Sequence, residues 1–341
     1  YYKKNIVINA GNSGTFARLL LGLLIKSPYE LKIIGDKSLS RRDFKRIINP
    51  LEQFGAKFIS NKKNSLPLKI LGSEYLKPIN YFEKRGSAQC KSSVILAALN
   101  TPGKTTIVAK KSRNHTELLL KHLKLPIKVL SKKKHDLIEI TGQRQFKSFD
   151  YVIPGDMSSS AFFIVLTLLS KNSKLKIKNI NINPSRTGFI KIVNKMGAKV
   201  KFVNKRYNYG ELIADVCVAS QRKFKAIKCP IELNSNAIDE FLIIFLIASK
   251  ASGISYFKKL EELNKKESPR LKLASMILKK MGVKTVTSKD SIKIFGNPNL
   301  KVNKKILINN FYKDHRIFMT SVIAALCFGG EWTIEDAESH M

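Results

Sequence analysis

The amino-acid sequence predicts an α/β (α+β) protein in which units of strands and helices repeat along the chain. A first phrase ends an amphipathic helix at a glycine and then begins a β-prone strand. It occurs in full at 51–58, 193–200 and 278–285, and in degenerate form at 119–129. These positions give a repeat of about 70 to 85 residues.

A second phrase alternates with the first and consists of a small, polar turn followed by an apolar helix. It predicts five helices, at 19–24, 94–99, 162–169, 241–248 and 317–327. The turns are rich in Ser, Thr, Asn and Asp, the usual helix N-caps. The free N–H groups of a first helical turn also attract anions, so several such turns together would bind phosphate or carboxylate groups. The turns alone do not separate this interpretation from simple capping of core helices.

Length and composition fit two packed domains. The chain has 341 residues, of which 44% are hydrophobic, enough for two cores of ordinary size. Pro154 and Gly155 interrupt the repeat pattern between its two halves, so we expect domains at 1–152 and 153–341. No apolar run reaches the ~18 residues that span a bilayer, so no membrane association is expected. The four cysteines lie far apart, which favours neither a metal site nor a disulfide framework.

The chain is strongly basic. The chain has 62 Lys and Arg against 25 Asp and Glu, a net charge of +37. Only 12 of the basic residues are Arg, and the lysines are spread over the whole chain, where runs such as 132–134 have no aromatic residue nearby. This favours a coding bias towards Lys, Ile and Asn over a specific nucleic-acid site. The other interpretation is a function that handles small, multiply anionic substrates, which a basic cleft attracts. A basic nucleic-acid-binding protein remains an alternative at this point.

Eight short motifs carry a resemblance to a known family. They are GNSGTFAR at 11–18, GDKSLSRR at 35–42, SAQCKS at 87–92, SRNHTE at 112–117, PGDMSSSA at 154–161, IDE at 238–240, KESPR at 266–270 and DHR at 314–316. In this order and at these intervals, the chain resembles the 5-enolpyruvylshikimate-3-phosphate synthases. The resemblance implies an inside-out α/β barrel fold: two similar domains, each of three β-α units with buried helices and outer sheets, joined by a double crossover. Substrates would lie between the domains.

The resemblance also implies an activity. Members transfer the enolpyruvyl group of phosphoenolpyruvate to the 5-hydroxyl of shikimate 3-phosphate and release phosphate, a step towards chorismate and the aromatic amino acids. No metal and no organic cofactor is implied. The expected partners are the two small-molecule substrates, with no specific nucleic acid and no membrane. We expect a monomer in the cytoplasm, or in a plastid if a transit peptide lies upstream.

Site residues follow from the motifs by resemblance. The residues implied in catalysis are Asp239, Lys266 and Glu267. Shikimate 3-phosphate would be bound by Ser87, Ala88, Gln89, Ser112, Arg113, Asp239 and Lys266. Phosphoenolpyruvate would be bound by Asn12, Gly14, Thr15, Arg42, Gln89, Arg270 and Arg316. The rare arginines thus fall in motifs where a planar carboxylate or phosphate is gripped, a task for which Arg is better suited than Lys.

The chain departs from the family pattern at several points. It begins with Tyr1, downstream of the family's first lysine-, serine- and arginine-bearing motif, and it ends before a late lysine, so we expect this chain by itself to be inactive. Pro269 stands where an acidic residue is usual, Asn264 where Arg is usual, and Asp43 where Pro is usual. Relatives that resist the herbicide glyphosate often carry Ala at the position of Gly14. The resemblance therefore implies that the full-length protein is sensitive to glyphosate.

An enzymatic alternative has the same fold. The related enolpyruvyl transferase that acts on UDP-N-acetylglucosamine typically carries a Cys on a mobile, glycine-rich loop. Cys90 instead follows the Ser-Ala-Gln turn that begins a predicted helix, and no other cysteine has the required setting. The motifs therefore favour the shikimate enzyme.

Overall fold

The computed structural model describes residues 5–60, 64–142 and 148–335. The chain divides between Tyr151 and Val152 into two compact units, unit 1 and unit 2. The outer ends of the expected domains, 1–4 and 336–341, lie outside the described residues.

One order of elements recurs in both units: strand, helix, strand, helix, strand, strand. The first two strands of a copy are parallel, and the fourth pairs antiparallel with both the second and the third. Unit 1 holds two copies. The first comprises β1 (Asn5–Asn9), α1 (Gly14–Leu23), β2 (Glu30–Ile34), α2 (Lys45–Phe54), β3 (Lys57–Ile59) and β4 (Leu68–Leu71). The second comprises β5 (Asn80–Glu83), α3 (Ala88–Leu99), β6 (Lys104–Lys110), α4 (His115–His122), β7 (Ile127–Ser131) and β8 (His135–Thr141).

Unit 2 continues the series with a third, a fourth and the beginning of a fifth copy. In the third, the first strand is reduced to a parallel bridge between Gly155 and Ile180. Its named elements are α5 (Met157–Leu169), β9 (Lys174–Asn181), α6 (Gly188–Lys195), β10 (Lys201–Asn208) and β11 (Glu211–Ala219). The fourth has β12 (Phe224–Lys225), α7 (Phe241–Ser249), β13 (Ala251–Phe257), α8 (Arg270–Lys280), β14 (Thr285–Thr287) and β15 (Ile292–Gly296). The fifth has β16 (Lys305–Ile308), α9 (His315–Phe328) and β17 (Glu331–Ile334).

The five predicted apolar helices are confirmed as α1, α3, α5, α7 and α9, the first helix of each copy. They form the interior of each unit: α1 packs on α3 in unit 1, and α5 packs on α7 and α9 in unit 2. Every residue of α7 is buried. Strand β6 instead alternates buried and more exposed residues, as expected of a sheet with one covered face. Among the described residues, no helix is long and apolar enough to cross a membrane.

The predicted helix ends are confirmed where the phrase carries a glycine. Gly55, Gly197 and Gly282 have φ of +117°, +98° and +86°, a region that side chains with a Cβ rarely enter. In the degenerate copy Lys124 takes the same conformation, with φ of +56°. Each glycine or its substitute lets the chain leave the helix and enter the next strand.

The predicted caps hold for four of the five apolar helices. Ser13, Ser87, Asp156 and Asp314 each accept a hydrogen bond from a first-turn amide. The prediction is wrong for α7, where Glu240 occupies the cap position and its side chain caps no amide. The preceding residues form successive reverse turns, in which Ala237 donates to the Asn234 carbonyl and Glu240 to the Ala237 carbonyl. Backbone hydrogen bonds of these turns, and not a side-chain cap, therefore precede the first turn of α7.

Candidate active site

Two guanidinium groups lie against the first residue of α1. A methyl group at Gly14 would meet Arg18 Nη1 at 2.9 Å and Arg42 Nη1 at 3.2 Å. Burial, and then the like charge of Arg42, lowers the pKa of Arg18. Two cations held near one glycine at the N-terminus of a helix form a site of positive potential, which a bound anion would stabilise.

Gln89 links this group to the second apolar helix of unit 1. Its Oε1 accepts a 2.6 Å hydrogen bond from Arg18 Nη1, and its Nε2 donates to Thr15 Oγ1 at 2.6 Å. Asn12 lies in the exposed turn, where its carbonyl accepts from the Gly14 amide at 3.1 Å. Five of the residues implied in phosphoenolpyruvate binding, Asn12, Gly14, Thr15, Arg42 and Gln89, are therefore neighbours in unit 1.

The turn that begins α3 is held by a buried carboxylate. Glu83 accepts hydrogen bonds from the amides of Arg85, Gly86 and Ser87 at 3.1, 2.5 and 3.0 Å. Ser87 caps the helix by accepting from the Cys90 amide at 3.2 Å, and Ala88 is the first helical residue. The turn is thus fixed from both sides.

Ser112 and Arg113 lie in the segment before α4. Ser112 Oγ is buried and makes no hydrogen bond to any of the residues described. The Arg113 carbonyl accepts a 2.9 Å hydrogen bond from Lys91 Nζ. A buried hydroxyl without a partner is costly, and a ligand oxygen would satisfy it.

In unit 2, Asp239 is the centre of a cationic group. Its Oδ1 lies 3.1 Å from Lys266 Nζ and 3.6 Å from Arg270 Nη1, and its Oδ2 lies 3.8 Å from Arg186 Nη1. Arg316 Nη1 donates to the Asp239 carbonyl at 2.9 Å. The Asp239 side chain is 15% exposed, so the carboxylate is accessible but strongly neutralised. Such a carboxylate can orient or deprotonate a hydroxyl.

Arg270 is fully buried among carboxylates. Its Nε donates to Asp314 Oδ2 at 2.9 Å, and its Nη2 pairs with Glu267. Burial alone would lower the pKa of Arg270, but Asp314, Glu267 and Asp239 outweigh it and raise that pKa. The remaining nitrogen, Nη1, is buried and makes no hydrogen bond within the described part of the chain.

The departures from the family pattern have local solutions. Pro269 is the N-cap residue of α8, where a missing N–H does no harm to the helix, and Arg270 is its first residue. Asn264 Oδ1 accepts from the Leu271 amide at 3.2 Å and so supports the start of the same helix. Asp43 Oδ1 accepts from the Lys45 amide at 2.7 Å at the start of α2. Pro269 therefore does not displace Arg270 from the carboxylates.

Several residues of these clusters escaped sequence reasoning. Arg186 Nη2 pairs with Asp156 Oδ1 at 2.6 Å, and Glu240 is 2% exposed. Burial raises the pKa of Glu240, while the charge of Arg186 opposes the rise. Arg18, Glu240 and Asp314 lie inside the motifs at 11–18, 238–240 and 314–316, but the resemblance implies no role for them. The scarcity of Arg was the signal that could have drawn attention to Arg18 and Arg186.

Comparison with known proteins identifies the family. The family model described as EPSP synthase (3-phosphoshikimate 1-carboxyvinyltransferase) matches residues 1–340. The chain is 39% identical over 334 residues to the 3-phosphoshikimate 1-carboxyvinyltransferase of Caldicellulosiruptor bescii, covering 97% of this chain and 76% of that protein. For the enzyme of the same name from Petrotoga mobilis, the identity is 36% over 335 residues, with the same coverage of 97% and 76%.

Solved structures agree. EPSP synthase from Acinetobacter baumannii superimposes with a TM-score of 0.85 at 33% identity, covering 98% of this chain and 75% of that one. The enolpyruvyl transferase NikO from Streptomyces tendae has a TM-score of 0.68 at 14% identity, covering 94% and 72%, and shows the fold alone. The expected fold class, repeated β-α units with buried helices, is confirmed. This chain belongs to the EPSP synthase family.

Proposed function

We propose that the family's reaction uses the residues grouped around Gly14 in unit 1 and around Asp239 in unit 2. The activity is that of 3-phosphoshikimate 1-carboxyvinyltransferases, whose substrates are the small anions phosphoenolpyruvate and shikimate 3-phosphate. The observation that carries the assignment of roles is the contact of the Asp239 carboxylate with Lys266 at 3.1 Å, beside the buried Arg270. The reaction needs a carboxylate to orient or deprotonate the hydroxyl and fixed cations to bind two polyanions. The Asp239 cluster supplies the carboxylate and the cations.

Asp239 is assigned to the 5-hydroxyl of shikimate 3-phosphate. The hydroxyl oxygen forms a bond to the central carbon of phosphoenolpyruvate, while its proton passes to a carboxylate. The methylene carbon of phosphoenolpyruvate gains a proton, for which Glu267 is the candidate donor. The tetrahedral adduct then loses phosphate and one methyl proton, which restores the double bond. Lys266 touches Asp239 and would stabilise the negative charge as protons move.

The cations are assigned to the anionic groups. Arg42, Arg270 and Arg316 would hold phosphoenolpyruvate, together with Gln89 and the turn at Asn12, Gly14 and Thr15. Arg270 offers the buried Nη1 that lacks a hydrogen bond within the described ranges. Ser87, Ala88, Gln89, Ser112, Arg113, Asp239 and Lys266 would bind shikimate 3-phosphate. The Ser112 hydroxyl makes no hydrogen bond to the described residues, which supports a phosphate oxygen at that position.

The protein's setting is also part of the proposal. We infer a monomer, as the family resemblance implies. We also infer that it acts in the cytoplasm on two diffusible substrates, because relatives of the same name come from bacteria. Size-exclusion chromatography with light scattering tests this inference, and we expect the mass of one chain at every protein concentration. A mass of two chains would refute it.

Paired lysine variants test the assignment of roles. Product formation from both substrates would be followed by NMR, using the protein expressed from its complete gene. Lys266→Met should lower kcat by about 100-fold or more, because a charge that stabilises the reacting groups is lost. Lys265→Met is the matched control, since Lys265 is 65% exposed and pairs only with Glu262 among the contacts described. Equal rates in the two variants would refute the role of Lys266.

A further inference from the structure

Unit 1 contains a buried ion pair that the roles above do not use. Lys91 Nζ lies 2.6 Å from Glu117 Oε1, and the two side chains are 0% and 4% exposed. Burying two charges is costly, and the attraction between them repays the cost only when the geometry is good and further hydrogen bonds are made. Stability alone is therefore a weak reason for such a pair.

The pair has a third member. Lys91 Nζ also donates to the backbone carbonyl of Arg113 at 2.9 Å. An ammonium group has three N–H donors and can serve a carboxylate and a carbonyl at the same time. Glu117 neutralises the charge, and the carbonyl of the loop receives a charge-assisted hydrogen bond.

The pair joins two segments that bind the same substrate in our assignment. Lys91 lies one turn into α3, the helix that Ser87, Ala88 and Gln89 begin. Glu117 lies in the first turn of α4, directly after the segment of Ser112 and Arg113.

A second hydrogen bond links the same two helices. Ser92 Oγ and Thr116 Oγ1 are 2.7 Å apart. Close by, Ser112 Oγ and Glu117 Oε2 are buried without hydrogen-bond partners in the described part of the chain. The segment that Lys91 holds thus still has a polar atom to offer a ligand.

We propose that Lys91 is a positioning residue for shikimate 3-phosphate. Its ammonium, neutralised by Glu117, fixes the Arg113 carbonyl and so sets the position of Ser112 and Arg113 relative to the start of α3. This rests on the proposed function, because the substrate is assigned to these two segments there. Neither Lys91 nor Glu117 touches the substrate in this proposal. An apolar side chain in place of Lys91 could fill the space but could not hold the carbonyl.

A double variant separates positioning from stability. Lys91→Met alone leaves the Glu117 carboxylate buried and unpaired, which destabilises the fold. Lys91→Met combined with Glu117→Met removes both charges and keeps the volume, a change that buried pairs often tolerate. We expect this double variant to unfold near the wild-type urea midpoint, with the KM for shikimate 3-phosphate raised by about 10-fold. The KM for phosphoenolpyruvate and kcat should stay within about 2-fold of wild type.

The control removes an ion pair of the same unit that holds no loop. Lys104 and Glu139 pair at 3.1 Å on neighbouring strands, with side chains 60% and 34% exposed. Lys104→Met with Glu139→Met should leave both KM values unchanged. A Lys91/Glu117 double variant with the wild-type KM for shikimate 3-phosphate would overturn the proposal, as would equal rises in both KM values.

Direct binding distinguishes this proposal from the proposed function. Calorimetry gives the affinity of shikimate 3-phosphate for wild type and for the double variant without turnover. If wild type binds this ligand but forms no product, the proposed function fails, and a 10-fold loss in the double variant would still support the role of Lys91. If wild type does not bind it at all, both proposals are overturned.

Discussion

Substitution of Gly14 by Ala tests whether the Arg18 and Arg42 pair forms an anion site. The new methyl group would lie 2.9 Å from Arg18 Nη1 and 3.2 Å from Arg42 Nη1. An ordinary van der Waals contact needs about 3.5 Å, so the two groups must withdraw by about 0.6 and 0.3 Å. Arg18 is further constrained by its hydrogen bond to Gln89 at 2.6 Å. The methyl group therefore moves the cations on which anion binding depends.

The effect on binding should exceed the effect on folding. A hydrogen bond to a charged group contributes about 1.5–3 kcal/mol, and weakening one by half costs about 1 kcal/mol. The KM for phosphoenolpyruvate should therefore rise by about 5- to 10-fold. Gly14 is the first residue of α1, where Ala is the better helix former, and both clashes are with the ends of flexible side chains. The free energy of unfolding should change by less than about 1 kcal/mol.

The assay is steady-state phosphate release, with urea unfolding of the same samples. Gly11→Ala is the control, because Gly11 has φ of +52° and a Cβ there would meet nothing within 4 Å. That variant should lose about 1 kcal/mol of stability through backbone strain, with little effect on the KM for phosphoenolpyruvate. A KM in Gly14→Ala within 2-fold of wild type, or a rise confined to shikimate 3-phosphate, would refute the anion site at Gly14.

Three further predictions concern stability, pH and inhibition. Asp314→Ala should lower the free energy of unfolding by about 3–5 kcal/mol, because it removes the buried carboxylate to which Arg270 Nε and Ser268 Oγ donate. Asp290→Ala on the surface should cost under about 0.5 kcal/mol in the same urea titration. Asp215 accepts hydrogen bonds from the Asn204 side chain and the Asn179 amide, and its pKa is lowered to about 2. Because this pKa lies below the unfolded value of about 3.9, the stabilisation is full above pH ~4 and is lost as the pH falls towards 2; the difference in urea midpoint between wild type and Asp215→Asn should shrink over that interval, and a constant difference would contradict it. Glyphosate should inhibit wild type more strongly than Gly14→Ala, and equal inhibition curves would exclude an effect of the methyl group.

Local patterns made much of the fold predictable. The glycine-ended helices and the small, polar turns depend on neighbouring residues, so the repeat and its five apolar helices could be read directly from the sequence. The reduced first strand at Gly155 and the uncapped start of α7 could not be predicted. The first depends on a single pairing with Ile180, and the second on backbone turns that no particular residue type requires.

In the candidate site, too, residues in short motifs could be predicted and contacts made by tertiary packing could not. Asp239, Lys266 and Glu267 stand in short motifs, and the structure brings Asp239 within 3.1 Å of Lys266. Arg186 reaches this cluster from a loop 53 residues earlier in the chain than Asp239, and nothing near it in sequence indicates that contact. Likewise, the pairing of Lys91 with Glu117 joins two helices and has no local signature. Contacts set by tertiary packing were the ones that sequence reasoning missed.

Phosphate release by the protein from its complete gene, with Asp239→Ala beside Asp290→Ala, tests the central claim most directly. Asp239 contacts Lys266, whereas the Asp290 side chain bonds to Ser288 on the surface. We expect release that requires both phosphoenolpyruvate and shikimate 3-phosphate, that falls by at least about 100-fold in Asp239→Ala and that is unchanged in Asp290→Ala. Release without shikimate 3-phosphate, or equal rates in the two variants, would contradict the account.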